Sequence, residues 1–331
     1  MSALPSTFSL LNGSPVAGKR IGIIGLDTSQ VTMILSHTNN IPGPGYDVVQ
    51  PEPIRGFEDF RVVAAYPYGS RNIESSVKQI PFYVEKMKEN KIAITGSVDE
   101  LLKMVDVVML MTFDGHPRVE QALQVIKSGK PLFINKPFAA SLKDVVKIID
   151  AAKKLKTPIF SSSPTRYLKG AQLARNGGIG EVTGADCYSR APLEPTHPDF
   201  FWYGIHGIEI LFTIMGKDCR VVQRISSPDT DIVTGTWANE NIGTYRSIRK
   251  GFATHSGTAF GIKEIISAGS FNDVGHRPLV VDMLNFFQTG ISPVSVDETL
   301  AIHVFMEAAD ESRRNGGRPV QMDEILQKAM A

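Results

Sequence analysis

Six short apolar runs, rich in β-branched residues, alternate with helix-period stretches along the first half of the chain, and this alternation leaves few folds open. The runs fall at residues 20–25, 61–66, 92–94, 107–111, 131–134 and 159–161. Continuous apolar runs of this length suit strands buried on both faces, as in a parallel sheet covered by helices. A helix is expected from Thr28, and residues 39–57, with their proline and glycine clusters, read as an exposed loop. Ser97 with Glu100, and Ser141 with Asp144, carry the three-residue spacing of helix starts. Residues 118–127 place Val119, Ala122, Leu123 and Ile126 on one helical face before Gly129. The pattern predicts an α/β Rossmann-type, doubly wound parallel-sheet domain over residues 16–163.

From residue 164 the pattern changes. A helix at 166–175, a strand at 181–189 and a helix at 204–215 precede strand-like runs at 220–225, 231–237, 242–249 and 258–266, and helices at 278–288 and 297–313 close the chain. Turn residues rather than long helices separate the late strands. Residues 164–331 are therefore expected to form an α+β domain with a large open, mostly antiparallel sheet, which binds substrate and mediates oligomerisation. An apolar sheet face without helices needs cover, so a homodimer or homotetramer through this sheet is expected.

Composition narrows the partners. Of 331 residues, 35 are Lys or Arg and 34 Asp or Glu, a balance that argues against nucleic acid or an anionic membrane as partner. No apolar run approaches the roughly 20 residues of a membrane helix. The short apolar stretch at residues 8–11 has no basic residue before it and does not read as a signal peptide. Cys187 and Cys219, the two cysteines, lie in no metal-ligand spacing, and neither do His197 and His206. A cytoplasmic protein acting on a small molecule, without a catalytic metal, is the expectation.

The segment IGIIGLDTSQ stands where a dinucleotide fingerprint would lie. Gly25 holds the first glycine position of G-x-G-x-x-G, while Asp27 and Gln30 hold the other two. A carboxylate at Asp27 either fills the anion site at the helix start or displaces phosphates toward the N–H groups of Thr28 and Ser29. After the second strand, YPYGSR lacks the acid that would hold the ribose hydroxyls of NAD. Ser70 and Arg71 suit a 2′-phosphate instead, which tilts the choice between NAD and NADP toward NADP.

At INKPFAAS and FWYGIHGIEILFTIMG the chain resembles the Gfo/Idh/MocA family of nicotinamide-dependent oxidoreductases, a likeness running from about Lys19 to Val320. The family's E-K-P motif appears as Asn135, Lys136 and Pro137; in its D-x-G-x-H-x-x-D motif, Gly204 and His206 match, while Trp202 and Glu209 replace the acids. The resemblance implies that the nicotinamide lies between Lys136 and His206, which divide the proton handling of a hydride transfer. It also places Thr112 and His116 on the cofactor. Arg166, Tyr167, Trp202, Tyr203 and Glu209 are expected on the substrate, with His197 and Asp199 as further contacts. The implied activity is hydride transfer between NAD or NADP and a sugar, polyol or related hydroxy compound. Asp27, Asn135 and Trp202 keep a second reading open, a catalytically silent binding or sensor protein with weakened dinucleotide affinity.

Overall fold

The computed structural model describes residues 19–42, 53–69 and 73–331. Ser70 and Arg71 lie outside the described residues, as do the leader and most of the loop expected at 39–57. The first sheet has six parallel strands, β1 (Arg20–Ile24), β2 (Arg61–Tyr66), β3 (Ala93–Ile94), β4 (Val107–Leu110), β5 (Leu132–Ile134) and β6 (Ile159–Phe160). Their order is β3-β2-β1-β4-β5-β6. Connections therefore reverse direction between β1 and β4, and the crevice beyond those strand ends is where open α/β sheets gather ligands.

Alternation sorts each strand's side chains onto two faces. Ile24, Val108, Leu110, Leu132 and Ile134 meet α4 (Val98–Met104), α5 (Arg118–Lys127) and α6 (Leu142–Leu155). Ile21, Ile23, Met109 and Phe133 meet α1 (Val31–Thr38) and α3 (Ile80–Glu89) on the other side. Each such side chain, fully buried, contributes roughly 1.5–3 kcal/mol. The expected helix starts are present: Ser97 Oγ accepts the Glu100 N–H and Ser141 Oγ that of Asp144, both at 3.1 Å. α1 opens only at Val31, because Thr28 Oγ1 accepts the Gln30 N–H at 3.3 Å and holds residues 28–30 in a turn. A short α2 (Glu74–Val77) precedes α3.

The second sheet has seven strands: β7 (Val182–Arg190), β8 (Cys219–Ser226), β9 (Thr230–Trp237), β10 (Ile242–Ile248), β11 (Ser256–Gly261), β12 (Ile265–Ser267) and β13 (Val320–Gln321). They run β12-β11-β7-β10-β9-β8-β13, antiparallel except where β7 meets β10. The run expected at 258–266 is two strands, since Gly261 N–H bonds to Glu264 O and turns the chain. Likewise the helix expected at 166–175 is a 3-10 turn, Pro164–Tyr167, followed by α7 (Lys169–Arg175). Val222, Val233 and Tyr245 face α8 (Ile205–Met215) and α10 (Val296–Arg314), and α11 (Met322–Met330) ends the chain.

One late helix does not stay with this sheet. α9 (Arg277–Thr289) packs Leu279, Val280, Met283 and Phe286 into the core under the first sheet, with Phe286 5.6 Å from the Phe160 ring. Among the described residues no helix is long and apolar enough to cross a membrane.

Candidate active site

A cavity of about 400 Å³ opens beyond the ends of β1, β4 and β5, against the start of α8. Its walls bring together Asp27, Thr28, Ser29 and Gln30 from the first turn, Phe113 and Lys136 from the next loops, and Tyr203, His206, His255 and His276 from the second domain. Lys136 is buried, with Nζ 4.3 Å from the Tyr203 ring centroid and 5.0 Å from that of Phe113. Burial, reinforced by the nearby Arg118, brings its ammonium down to about 7.

Arg118 sits beneath this loop, fully buried at the start of α5. Its guanidinium donates to the carbonyls of Thr112, Asn135, Lys136 and Pro137 and so clamps the ends of β4 and β5 together. Burial lowers its pKa to about 9, opposed by Asp27 and Asp114, and it remains the counter-charge to both. Asp27 is also buried; its Oδ1 accepts the Phe113 N–H at 3.0 Å. Two of the sequence's departures from the fingerprint and the E-K-P motif meet here, since Asn135 Nδ2 donates to Gln30 Oε1.

His206 has a defined tautomer. Thr165 Oγ1 donates its hydrogen to the His206 carbonyl at 2.8 Å, so Ser163 must supply the hydrogen of the 2.8 Å bond between the two hydroxyls. Ser163 Oγ, 2.7 Å from His206 Nδ1, then accepts from Nδ1–H. Nε2 is left with its lone pair, a proton acceptor on a residue lining the cavity. Burial, with Lys136, His255 and His276 adding to it, holds the imidazole well below its ordinary pKa and keeps it neutral.

The other expected site residues are placed elsewhere. Arg166 and Glu209 do not reach the cavity: Arg166 Nε bonds Glu209 Oε1 and Nη1 bonds Glu298 Oε1, both at 2.7 Å, while Ser162 Oγ donates to Glu209. Tyr167 donates to Asp282 at 2.7 Å, and Trp202 stacks edge-on with Phe113, behind the lining residues. Asp199 pairs with Arg224 and Arg313, away from the cavity. Thr112 is buried, its hydroxyl on Gln121 Oε1 at 2.8 Å. His116 lines a second cavity of about 500 Å³ with Tyr66, Tyr68, Gly69, Asp99 and Glu120. His197 lies beside it, Nε2 accepting the Gly115 N–H at 3.0 Å. Asp114, His116 and His197 bring three possible ligand atoms within 4.8 Å of one another, a cluster that the linear spacing did not reveal.

Residues 45–162 match the family model described as an oxidoreductase family with an NAD-binding Rossmann fold. That match, to the Gfo/Idh/MocA family model, covers only the first-sheet part of the chain. No curated protein matches the chain. Among solved structures, it is similar to a probable dehydrogenase from Thermotoga maritima, with 19% identity, 92% and 99% of the two chains covered and a TM-score of 0.71. A putative NADPH-dependent oxidoreductase from Desulfitobacterium hafniense shares 15% identity over 94% and 99%, TM-score 0.72. A scyllo-inositol dehydrogenase from Lactobacillus casei, solved with NAD(H) and scyllo-inositol, shares 14% over 92% and 99%, TM-score 0.69. At these identities the likeness is one of fold.

The matched family model describes an NAD-binding fold, and the residues present here fit a dinucleotide. At Gly25, with φ of +91°, an added Cβ would lie 2.4 Å from Thr112 N, so the turn below the crevice admits no side chain. At Gly69 an added Cβ would come within 2.2 Å of Asp27 Oδ2, so the carboxylate lies flat against the β2 loop. The buried Arg118 answers its charge. The two cavities, at the ends of β1 and β2, suit the nicotinamide and adenosine halves.

Four groups that shape this site escaped sequence reasoning: Arg118, Ser163, His255 and His276. Arg118 entered the sequence reading only as the first residue of the helix expected at 118–127. Ser163, three residues after β6 and just before Pro164, stood near a sheet terminus and offered a signal that went unused.

Proposed function

We propose that this protein is an NAD-dependent dehydrogenase oxidising a secondary alcohol of a sugar, polyol or related hydroxy compound. The observation that carries the reading is Lys136, poised at about 7, in one cavity with the Nε2 lone pair of neutral His206. A general acid–base group works best near the ambient pH, and Lys136 is the group in that range. Its amine takes the hydroxyl proton, while His206 Nε2 accepts a hydrogen bond from a neighbouring hydroxyl of the substrate and so orients it. Once protonated, the Lys136 ammonium stabilises the carbonyl oxygen being formed. Bound nicotinamide supplies the hydride acceptor.

NAD rather than NADP is favoured by the second cavity, where Asp99, Asp114 and Glu120 would oppose a 2′-phosphate but can accept from ribose hydroxyls. Assembly through the second sheet is part of the same reading, because Ile225, Ile242 and Ile265 are exposed on its strands. Light scattering at micromolar concentration tests it, and a monomer mass would refute it.

Titration with NADH and NADPH, followed by nicotinamide fluorescence, tests the central claim. NADH is expected to bind wild type and Lys136→Ala alike, with turnover lost in the variant by about 100-fold or more. Binding of neither nucleotide up to millimolar concentration would favour the silent-binder reading instead.

A further inference from the structure

Lys136 is enclosed by aromatic faces where a buried cation would ordinarily meet a carboxylate. Tyr203 presents its ring 4.3 Å from Nζ from the second domain, and Phe113 presents its own at 5.0 Å from the loop after β4. Asn135 and Trp202, which precede Lys136 and Tyr203, carry no charge. Arg118, the charged group that weighs on Lys136, has the same sign. The second domain adds imidazoles, His206 and His255 within electrostatic reach of Lys136 and His276 on the cavity wall. Asp27, the acid lining the cavity among the described residues, keeps its carboxylate on the Phe113 N–H.

Both rings are braced. Trp202 packs edge-on against Phe113 with centroids 4.4 Å apart, and Tyr203 against His206 at 5.7 Å. Tyr203 belongs to a π-helical turn, Phe200–Gly204, that closes tightly on itself, since a Cβ added at Gly204 would come within 2.7 Å of the Phe200 ring. Burial raises the Tyr203 phenol above its ordinary pKa, so the ring is neutral and offers a π face rather than a phenolate.

A π face attracts an ammonium far more than a neutral amine, and more so where water is excluded. Resting on the dehydrogenase reading above, we infer that Tyr203, seconded by Phe113, is a positioning residue for the reaction: the two rings hold the Lys136 amine at the reacting hydroxyl and stabilise the ammonium it becomes on taking the proton. The attraction grows as the charge develops, so it favours the transition state over the bound alcohol. Trp202, which replaces a motif acid, backs the Phe113 ring.

NMR titration of the Lys136 amine tests this on the full chain, with lysine labelled by 13C at Cε and the Lys136 signal identified by its loss in Lys136→Ala. Tyr203→Leu is expected to lower the midpoint by about 0.5–1 pH unit and Phe113→Leu by less, whereas Tyr203→Phe, which keeps the ring, should stay within about 0.2 of wild type. The sign separates this role from a merely structural one: a gap at position 203 that admits water would relieve burial and raise the midpoint. An unmoved or raised midpoint in Tyr203→Leu overturns the inference, as does an equal fall in Tyr203→Phe. Should Tyr203→Leu fail to fold, Phe113→Leu decides by the same sign. The titration needs neither nucleotide nor substrate, so absence of NADH binding would sink the dehydrogenase reading without touching the result on the rings.

Discussion

Asn135 and Gln30 are partners: the amide that stands where the family has an acid donates to the side chain that stands where the fingerprint has its last glycine. Neither departure is isolated, and each supplies what the other needs. Asn135 is 2% exposed, so its amide requires a partner. Gln30→Ala should therefore cost about 1–3 kcal/mol, and the double variant Gln30→Ala, Asn135→Ala less than the sum of the two singles. Urea unfolding of the four proteins measures the coupling, and strict additivity would show that the bond contributes nothing.

Burial, with Arg118 nearby, brings the Lys136 ammonium down to about 7, and the residue preceding it is a neutral amide. Asn135→Glu should place an opposite charge beside it and move the alkaline-rising limb of kcat upward by about 1 pH unit. A pH–rate profile with an unmoved midpoint would mean that Lys136 does not handle the proton.

Glu209 offers a discrimination between support and contact. If it holds Arg166, then Glu209→Gln leaves a buried guanidinium partly unpaired and lowers stability by about 3–5 kcal/mol. KM of the folded fraction should stay within about 3-fold of wild type. A stable variant with KM raised tenfold would return Glu209 to the substrate.

Acid should loosen this protein before it loosens most. His303, buried with Nδ1–H on the Thr299 carbonyl at 2.7 Å, is pushed by burial from 6.5 to about 4. Between those values the unfolded chain binds more protons than the folded one. Stability is thus full above about 6.5 and falls as pH drops toward 4. The difference amounts to roughly 3 kcal/mol for this residue alone. Thermal unfolding from pH 7 to pH 4 should show the slope, and His303→Gln should flatten it; a melting temperature indifferent to pH in wild type would contradict the assignment.

Strand positions in the first sheet were legible because buried parallel strands demand continuous apolar runs, and nothing else in that half does. Lys136 and His206 were legible through their motifs. Arg166 and Glu209 were misplaced for a physical reason: a charged residue beside a motif reads as a ligand until its counter-ion is known, and Glu298 comes from α10, 132 residues further along than Arg166. The tautomer of His206 depends on two hydroxyls from another strand end, Ser163 and Thr165, a long-range arrangement with no local signature. Helix α9 was correctly expected as a helix, but its apolar face gave no indication of which sheet it would cover.

That helix has a consequence for how the molecule can move. Phe286 and Phe287 seal the underside of a sheet whose strands all lie before residue 161. A fragment ending at residue 163 would expose that layer to water and should precipitate or refuse to fold. The link also limits breathing at the active site, because spreading the two halves would pull an aromatic plug from beneath the nucleotide platform. Catalytic opening must then be carried by individual loops around the cavity, such as the one bearing His255, with the halves themselves staying docked.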